Sequence, residues 1–300
     1  MKRNAGGGGK PFASASAFAF YCPIFHIIVG SFFGTKHLNA PNLMTDPVNP
    51  PELIISLSRD KVRIDFADQS GAGISNWSSI FPVEGLFLED QLSAAMDEAL
   101  LQNPSLMEHI RDVSIVLVDR PNICLPKGYA AEDSLKDIAE RYLRIGPGDM
   151  LTADSVSGNH AIAYSIPTCT INVFREYYAN AGPLHLTSVL WNAIHNLVQP
   201  CEKDDSRLFF YISANTLIVI GQTGEKLTFT KSFYIRDRGD LSYYAIACTR
   251  MLKPKEKWLL TIMDETRLFD FHGTPQFTID HQLELPALHQ LIARHGSCES

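Results

Sequence analysis

The chain has 300 residues, 45% of them apolar and 20% charged, with a formal net charge of −7. That length allows one large domain or two ordinary ones. The basic residues are scattered, KPKEK at Lys253–Lys257 being a short solvated run, so no concentrated basic face exists for a phosphate backbone and nucleic acid is not expected as a partner.

The N-terminal stretch is the least regular part. A basic start and GGGG precede a run of apolar and small residues, Pro11–Gly34, long enough to raise a signal or membrane-anchor reading. Pro23, His26 and several serines interrupt it, and no small-x-small cleavage site follows. The expectation is that Met44 is the true start and that the stretch before it is disordered or not made. Gly6–Gly9 followed by Lys10 lacks the Ser or Thr and the preceding strand of a phosphate loop.

The first convincing strand is Leu53–Ser58, followed by the turn RDK and an alternating strand with Val62, Ile64 and Phe66 on one face. Asp68–Gly73 reads as a turn and ISNWSSIF as a third strand. The helix LEDQLSAAMDEAL places Leu88, Leu92, Ala95, Met96 and Ala99 on one side, suited to covering a sheet. Asp112–Asp119 is a continuous apolar strand of the kind buried on both faces. The helix EDSLKDIAERYL repeats the period through Leu135, Ile138, Ala139 and Tyr142, which gives the order βββαβα.

In the middle section Asn159–Pro167 is a strand. The helix TINVFREYYANAG turns Val173, Phe174, Tyr177, Tyr178 and Ala181 inward and stops at Gly182 and Pro183. PLHL is a short strand, and Thr187 or Ser188 is expected to cap SVLWNAIHNL, with Trp191 as a core anchor. Gln199–Ser206, polar and charged, is the best domain boundary. Beyond it the first pattern returns: strands Leu208–Ser213 and Leu217–Ile220, the turn GQTGE, the strand KLTFTKSF, a helix capped by Asp240 with Tyr243, Ile246, Ala247 and Met251 on a stripe, and the strand Lys257–Asp264. LPALHQLIARHG supplies a last helix. The expected division is residues 1–50 as an extension, 51–200 as a first half with a middle α/β insertion, and 201–300 as a second half.

No metal site follows from the histidine spacing, which lacks HxxxH and HExxH. Cys22, Cys124, Cys169, Cys201, Cys248 and Cys298 form no CxxC and mostly sit in apolar runs, which fits reduced structural thiols in a cytoplasmic protein. Ser155–His160, SVSGNH, lacks the strand–elbow–helix setting of a hydrolase nucleophile.

Two βββαβα-type units with a cleft between them resemble the actin-like ATPase superfamily, whose α/β halves are ribonuclease H-like. The run HAIAYSIPTCTINVFREYYANAGPLHLTSVLWNAIHNL, with its AG dipeptide, and the second-half strand ending LTFTKSFYI are most similar to the branch that holds the pilus-assembly protein PilM. The chain also looks like a member of an uncharacterised bacterial family with this fold. The resemblance spans about Leu53 to Phe271.

Carried over from that resemblance, the Asp-x-Gly phosphate turns fall on Ser56 and Ser58 in the first half and on Tyr211 and Ser213 in the second. The Gly-Gly pair near the nucleoside falls on Ile262 and Met263. Serine supplies neither the carboxylate that holds a cation nor the backbone freedom of glycine, and Tyr211 would fill space. The resemblance therefore implies a catalytically inactive scaffold or protein-interaction module, with no cofactor and another protein as partner. Two alternatives stand beside it. One is a divergent nucleotide-dependent ATPase or phosphotransferase using Asp60, Asp65, Asp119 or Asp264; Asp60 is otherwise the exposed member of a hairpin turn. The other is a membrane-associated assembly subunit, if the N-terminal extension is genuine.

Overall fold

The computed structural model describes residues 52–68, 75–83, 89–107, 110, 112–197, 206–213, 215–251, 258–264 and 277–282. All belong to one contact unit, Asp46–Ser300. The first unit of the chain, the turn at 69–74, Leu88, most of the boundary stretch and the helix expected at 285–296 lie outside them. Among the described residues no helix is long and apolar enough to cross a membrane.

Strands β1 (Glu52–Leu57), β2 (Lys61–Asp68) and β3 (Ser75–Pro82) form an antiparallel meander. Helix α1 (Glu89–Gln102) follows and leads into β4 (Asp112–Leu117), which runs parallel to β1. Then come β5 (Asn122–Pro126), α2 (Glu132–Tyr142), β6 (Asp149–Val156), β7 (His160–Pro167), α3 (Thr168–Tyr177), β8 (Gly182–His185) and α4 (Leu186–Leu197). The remaining elements are β9 (Ser206–Ser213), β10 (Thr216–Thr223), β11 (Lys226–Tyr234), α5 (Arg238–Thr249), β12 (Trp258–Asp264) and β13 (Phe277–Gln282).

These strands build three sheets, ordered β3-β2-β1-β4-β8, β11-β10-β9-β12-β13 and β5-β7-β6. The two five-stranded sheets share one plan: an antiparallel trio, a fourth strand parallel to the first, and an outer strand parallel to the fourth. The small sheet is inserted between β4 and β8.

Alternation in β9 shows why the second sheet is buried on both faces. Leu208, Phe210 and Ile212 pack with Leu241, Ala245 and Cys248 of α5, while Phe209 and Tyr211 enter the main core with Trp191, Phe174 and Tyr164. In α1 the expected stripe of Leu92, Ala95, Met96 and Ala99 is buried against β1 and β2 side chains. Gly221 lies in β10, not in a turn as expected, and a Cβ there would overlap the ring of Phe229. Gly221→Ala is expected to destabilise the fold by about 1–3 kcal/mol through overpacking, read as a lower urea midpoint at unchanged slope.

Several sequence expectations are corrected. β5, β6 and β13 had no counterpart in the reading, so the first unit is not a plain βββαβα repeat: β5 stands between β4 and α2. Asp237, not Asp240, caps α5, accepting N–H bonds from Gly239 at 2.7 Å and Asp240 at 2.9 Å. Asp240 sits in the first turn and accepts from the Arg236 guanidinium. The buried stripe of α5 is Leu241, Ala245 and Cys248, whereas Tyr243 is 68% and Met251 48% exposed. Tyr142, in the last turn of α2, also faces solvent, while Leu135 and Ile138 hold the contact with the small sheet and Ala139 is buried. α3 ends at Tyr177, so Tyr178 and the buried Ala181 follow it. SVSGNH is the β6–β7 hairpin, with Gly158 and Asn159 both at positive φ (81° and 61°), as a two-residue turn of this hand requires.

Candidate functional site

Among the described residues two regions hold chemistry-bearing groups: the hairpin tips of the two large sheets, and the junction where the small sheet meets β8 and α4.

At the first tip, Ser58 closes the β1–β2 turn. Its N–H and its Oγ donate to the Lys61 carbonyl, at 3.0 and 3.1 Å, and Oγ lies 3.2 Å from Asp60 Oδ1. Asp60 is exposed. Asp119, just past β4, accepts the Arg59 N–H at 2.9 Å, and burial raises its pKa against the opposing pull of Arg59. The Arg59 guanidinium stands 5.4 Å from the centre of the Tyr234 ring, at the end of β11, which joins the first tip to the second large sheet. There Asn215 accepts the Ile235 N–H through its carbonyl, and its amide reaches the Tyr234 hydroxyl at 3.4 Å.

The carried-over positions fall as follows. Ser56 is inside β1, opposite Arg63, and is buried. Tyr211 is inside β9, between Ile218 and Met263, and is buried in the main core. Ser213 ends β9, opposite Thr216. Ile262 is a buried residue of β12; the side chains of Met263 and Asp264 lie outside the described residues. Asp65 is paired with Arg63 at 2.9 Å on β2, away from the turn that Asp60 and Asp119 flank. Among the described residues no three His, Cys, Asp or Glu side chains are grouped to hold a metal.

The second region was missed by sequence reasoning, because β5 and β6 were not recognised. Asp154 of β6 accepts from the Tyr164 hydroxyl of β7 at 2.8 Å through Oδ1. Through Oδ2 it accepts from the His185 N–H at 2.8 Å and from Ser188 Oγ at 2.7 Å. His185, fully buried, takes the cap position of α4 that was expected of Thr187 or Ser188: its Nδ1 accepts the Thr187 N–H at 3.0 Å. That bond leaves the proton on Nε2, which donates to the Arg120 carbonyl at 3.0 Å. Asn122 of β5 continues the network, donating to Thr187 Oγ1 and Ser232 Oγ and accepting from Thr230 of β11. The sequence signal was slight: in MLTADSV, Thr152 and Asp154 alternate with Leu151 and Ala153, and Ser155 breaks the pattern.

Burial lowers the His185 pKa to about 4. A protonated Nδ1 would also face an N–H at a helix N-terminus, where positive charge is disfavoured. Because the folded pKa lies below the unfolded value, the unfolded state binds the extra proton first. Stability is whole above about pH 6.5 and is lost as pH falls towards 4, by on the order of 3 kcal/mol. Urea unfolding of the wild type and His185→Gln across that window is expected to show a shallower slope for the variant.

Beside this junction runs an open groove of about 570 Å³, lined by Thr152–Ser155 of β6, by Gly182–Leu184 of β8 with Asn180 before it, and by Val113 and Ser114 of β4. Consecutive residues of β6 and β8 line it. Since neighbouring side chains on a strand point to opposite faces, a run of consecutive residues presents a strand edge. Among the described residues both are the outer strands of their sheets.

The mixed sheets and their insertion make an α/β fold that resembles actin-like ATPase folds. This chain is similar, at 12% identity and a TM-score of 0.58, to a Bacteroides thetaiotaomicron protein with actin-like ATPase fold and unknown function; the match covers 74% of this chain and 85% of that one. Residues 41–261 match the family described as protein of unknown function DUF3822, and the chain belongs to that family. A PilM-PilN type IV pilus biogenesis complex is similar at 13% identity and a TM-score of 0.44, covering 83% of this chain and 87% of that one. The Aquifex aeolicus Ppx/GppA phosphatase is similar at 10% identity and a TM-score of 0.34, covering 71% and 67%. A comparison with the curated proteins finds no match.

Proposed function

We propose that this protein is a catalytically inactive interaction module that takes an extended segment of another protein into the groove between β6 and β8. The observation that carries this reading is that the groove is lined by β6 and β8, each the outermost strand of its sheet among the described residues. An unpaired edge presents a row of backbone donors and acceptors, and the complement of such a row is another extended backbone. β8 carries Pro183, which has no N–H and so blunts its edge. Thr152 and Ala153 of β6 are not proline, so the added segment pairs with β6 there and packs against β8.

In this reading the two large sheets are halves of a duplicated actin-like unit, residues 51–200 and 201–300, with a cleft between them. The seating of Asp60 and Asp119 on the Ser58–Arg59 turn and of Arg59 over Tyr234 supports a cleft adapted to holding the halves together. The resemblance of the run His160–Leu197 to the PilM branch supports a PilM-like assembly protein, which we place in the cytoplasm.

The test is selection of random dodecapeptides displayed on phage against the full chain, with enriched peptides mapped by amide hydrogen exchange. Protection is expected across 149–156. Proline at either Thr152 or Ala153, whichever N–H points outward, should abolish it. Protection confined to other elements, or no enriched peptide, would remove the reading.

A further inference from the structure

We infer that the outward faces of α1 and α5 join copies of this chain head to tail, the α1 of one molecule packing antiparallel on the α5 of the next. Each helix covers its large sheet with one stripe and turns a second row of residues to solvent. In α1 that row is Asp90, Ala94, Asp97 and Leu101, all exposed, with Leu101 at 83%. In α5 and its C-cap it is Gly239, Tyr243, Ile246 and Arg250; Ile246 is half-buried and Tyr243 is 68% exposed. Residues spaced by four, three and four share one face of a helix.

The two rows have the same spacing, and read in opposite directions their chemistry matches. Antiparallel packing sets Asp90 against Arg250, Ala94 against Ile246, Asp97 against Tyr243, and Leu101 against the bare backbone of Gly239. Charge decides both the direction and the partner. α1 carries Glu89, Asp90, Asp97 and Glu98 and no basic residue. The acids of α5 are already engaged: Asp237 caps the helix, and Asp240 pairs with Arg236 at 3.1 Å. Arg250 stands at the C-terminal end, and neither it nor Asp90 forms an ion pair among the described residues. The antiparallel arrangement also brings the positive end of the α1 dipole to the negative end of α5. Parallel packing would set Leu101 against Arg250, and two α1 faces together would set acids against acids. Because the joined surfaces differ, the contact is heterologous and copies add in series. One helix pair is a small interface, so the association depends on concentration.

Sedimentation velocity of the full chain, from about 10 μM to about 0.5 mM, tests this. The wild type is expected to pass from monomer to dimer and longer species as concentration rises, and to do so less in high salt. Asp90→Arg and Arg250→Asp, each alone, place like charges across the joint and should weaken association about tenfold. Mixed in equal amounts, the two variants should associate as the wild type does, since each then meets the opposite charge on the other. Tyr243→Ser removes the aromatic anchor without changing charge and should also weaken association about tenfold. All three positions are exposed, so urea midpoints near that of the wild type are expected, and they separate a lost contact from a lost fold. A wild type that stays monomeric throughout would overturn the inference. So would charge variants that associate as the wild type does, or a mixture no better than its components. None of these residues lines the groove between β6 and β8, so this measurement and the peptide selection fail separately.

Discussion

Titration of the full chain with ATP and Mg²⁺ is expected to give no saturable heat at physiological nucleotide concentrations, and no hydrolysis above a buffer control. Binding of a nucleotide phosphate by this kind of fold needs turns whose N–H groups are free to close on it, and an acidic oxygen to hold the cation. At the first tip, the Ser58 N–H is spent on the Lys61 carbonyl and the Arg59 N–H on Asp119. Asp60 shares its Oδ1 with the Ser58 hydroxyl in the same turn. The Arg59 side chain, which could have met a phosphate, stands over Tyr234 instead. A serine at position 58 also lacks the positive-φ freedom of glycine. Submillimolar binding that disappears in Asp60→Ala or Asp264→Ala would sink this expectation and bring the divergent ATPase forward.

The largest stability effect is expected for Trp191→Ala. Trp191 is fully buried in α4, at the centre of the main core, and its indole N–H donates to the Ser157 carbonyl at 2.9 Å in the β6–β7 turn. Deleting it removes the largest side chain of the core and strips a partner from that carbonyl. The expected loss is about 3–5 kcal/mol, or roughly 10 °C in Tm for a domain of this size. Trp191→Phe keeps most of the volume and loses the N–H, so it should cost about 1 kcal/mol. Calorimetry on the three proteins gives the comparison. A drop for the alanine variant no larger than that for an exposed site such as Lys136→Ala would mean that α4 is not anchored through this ring.

Most of the large-sheet framework was legible because local chemistry and tertiary placement agree there. Leu53–Leu57 and Leu208–Ile212 are apolar on both faces, as strands central to covered sheets must be, and the alternation of Val62, Ile64 and Phe66 reports its buried face directly. Gly158–Asn159 and Gly224 stand where the backbone turns left-handed, yet GQTGE was placed too early because Gly221 is needed for space in β10. The exposed Tyr142 and Tyr243 were drawn inward because helix periodicity marks a stripe without saying how far the opposing surface extends.

The sequence by itself determined the strand trios and the covering helices, since these follow from periodicity within short windows; the likeness to an actin-like fold came from resemblance to a known family, not from periodicity. Only the tertiary structure decided the candidate site. NICLP and MLTADSV are too short and too polar to announce strands, and they become strands because β7 pairs with both. Asp154 and His185 are 31 residues apart, and Asn122 meets Thr230 across 108. No local pattern encodes such pairs: they exist because burial leaves each polar group no water, and only the folded neighbour can satisfy it.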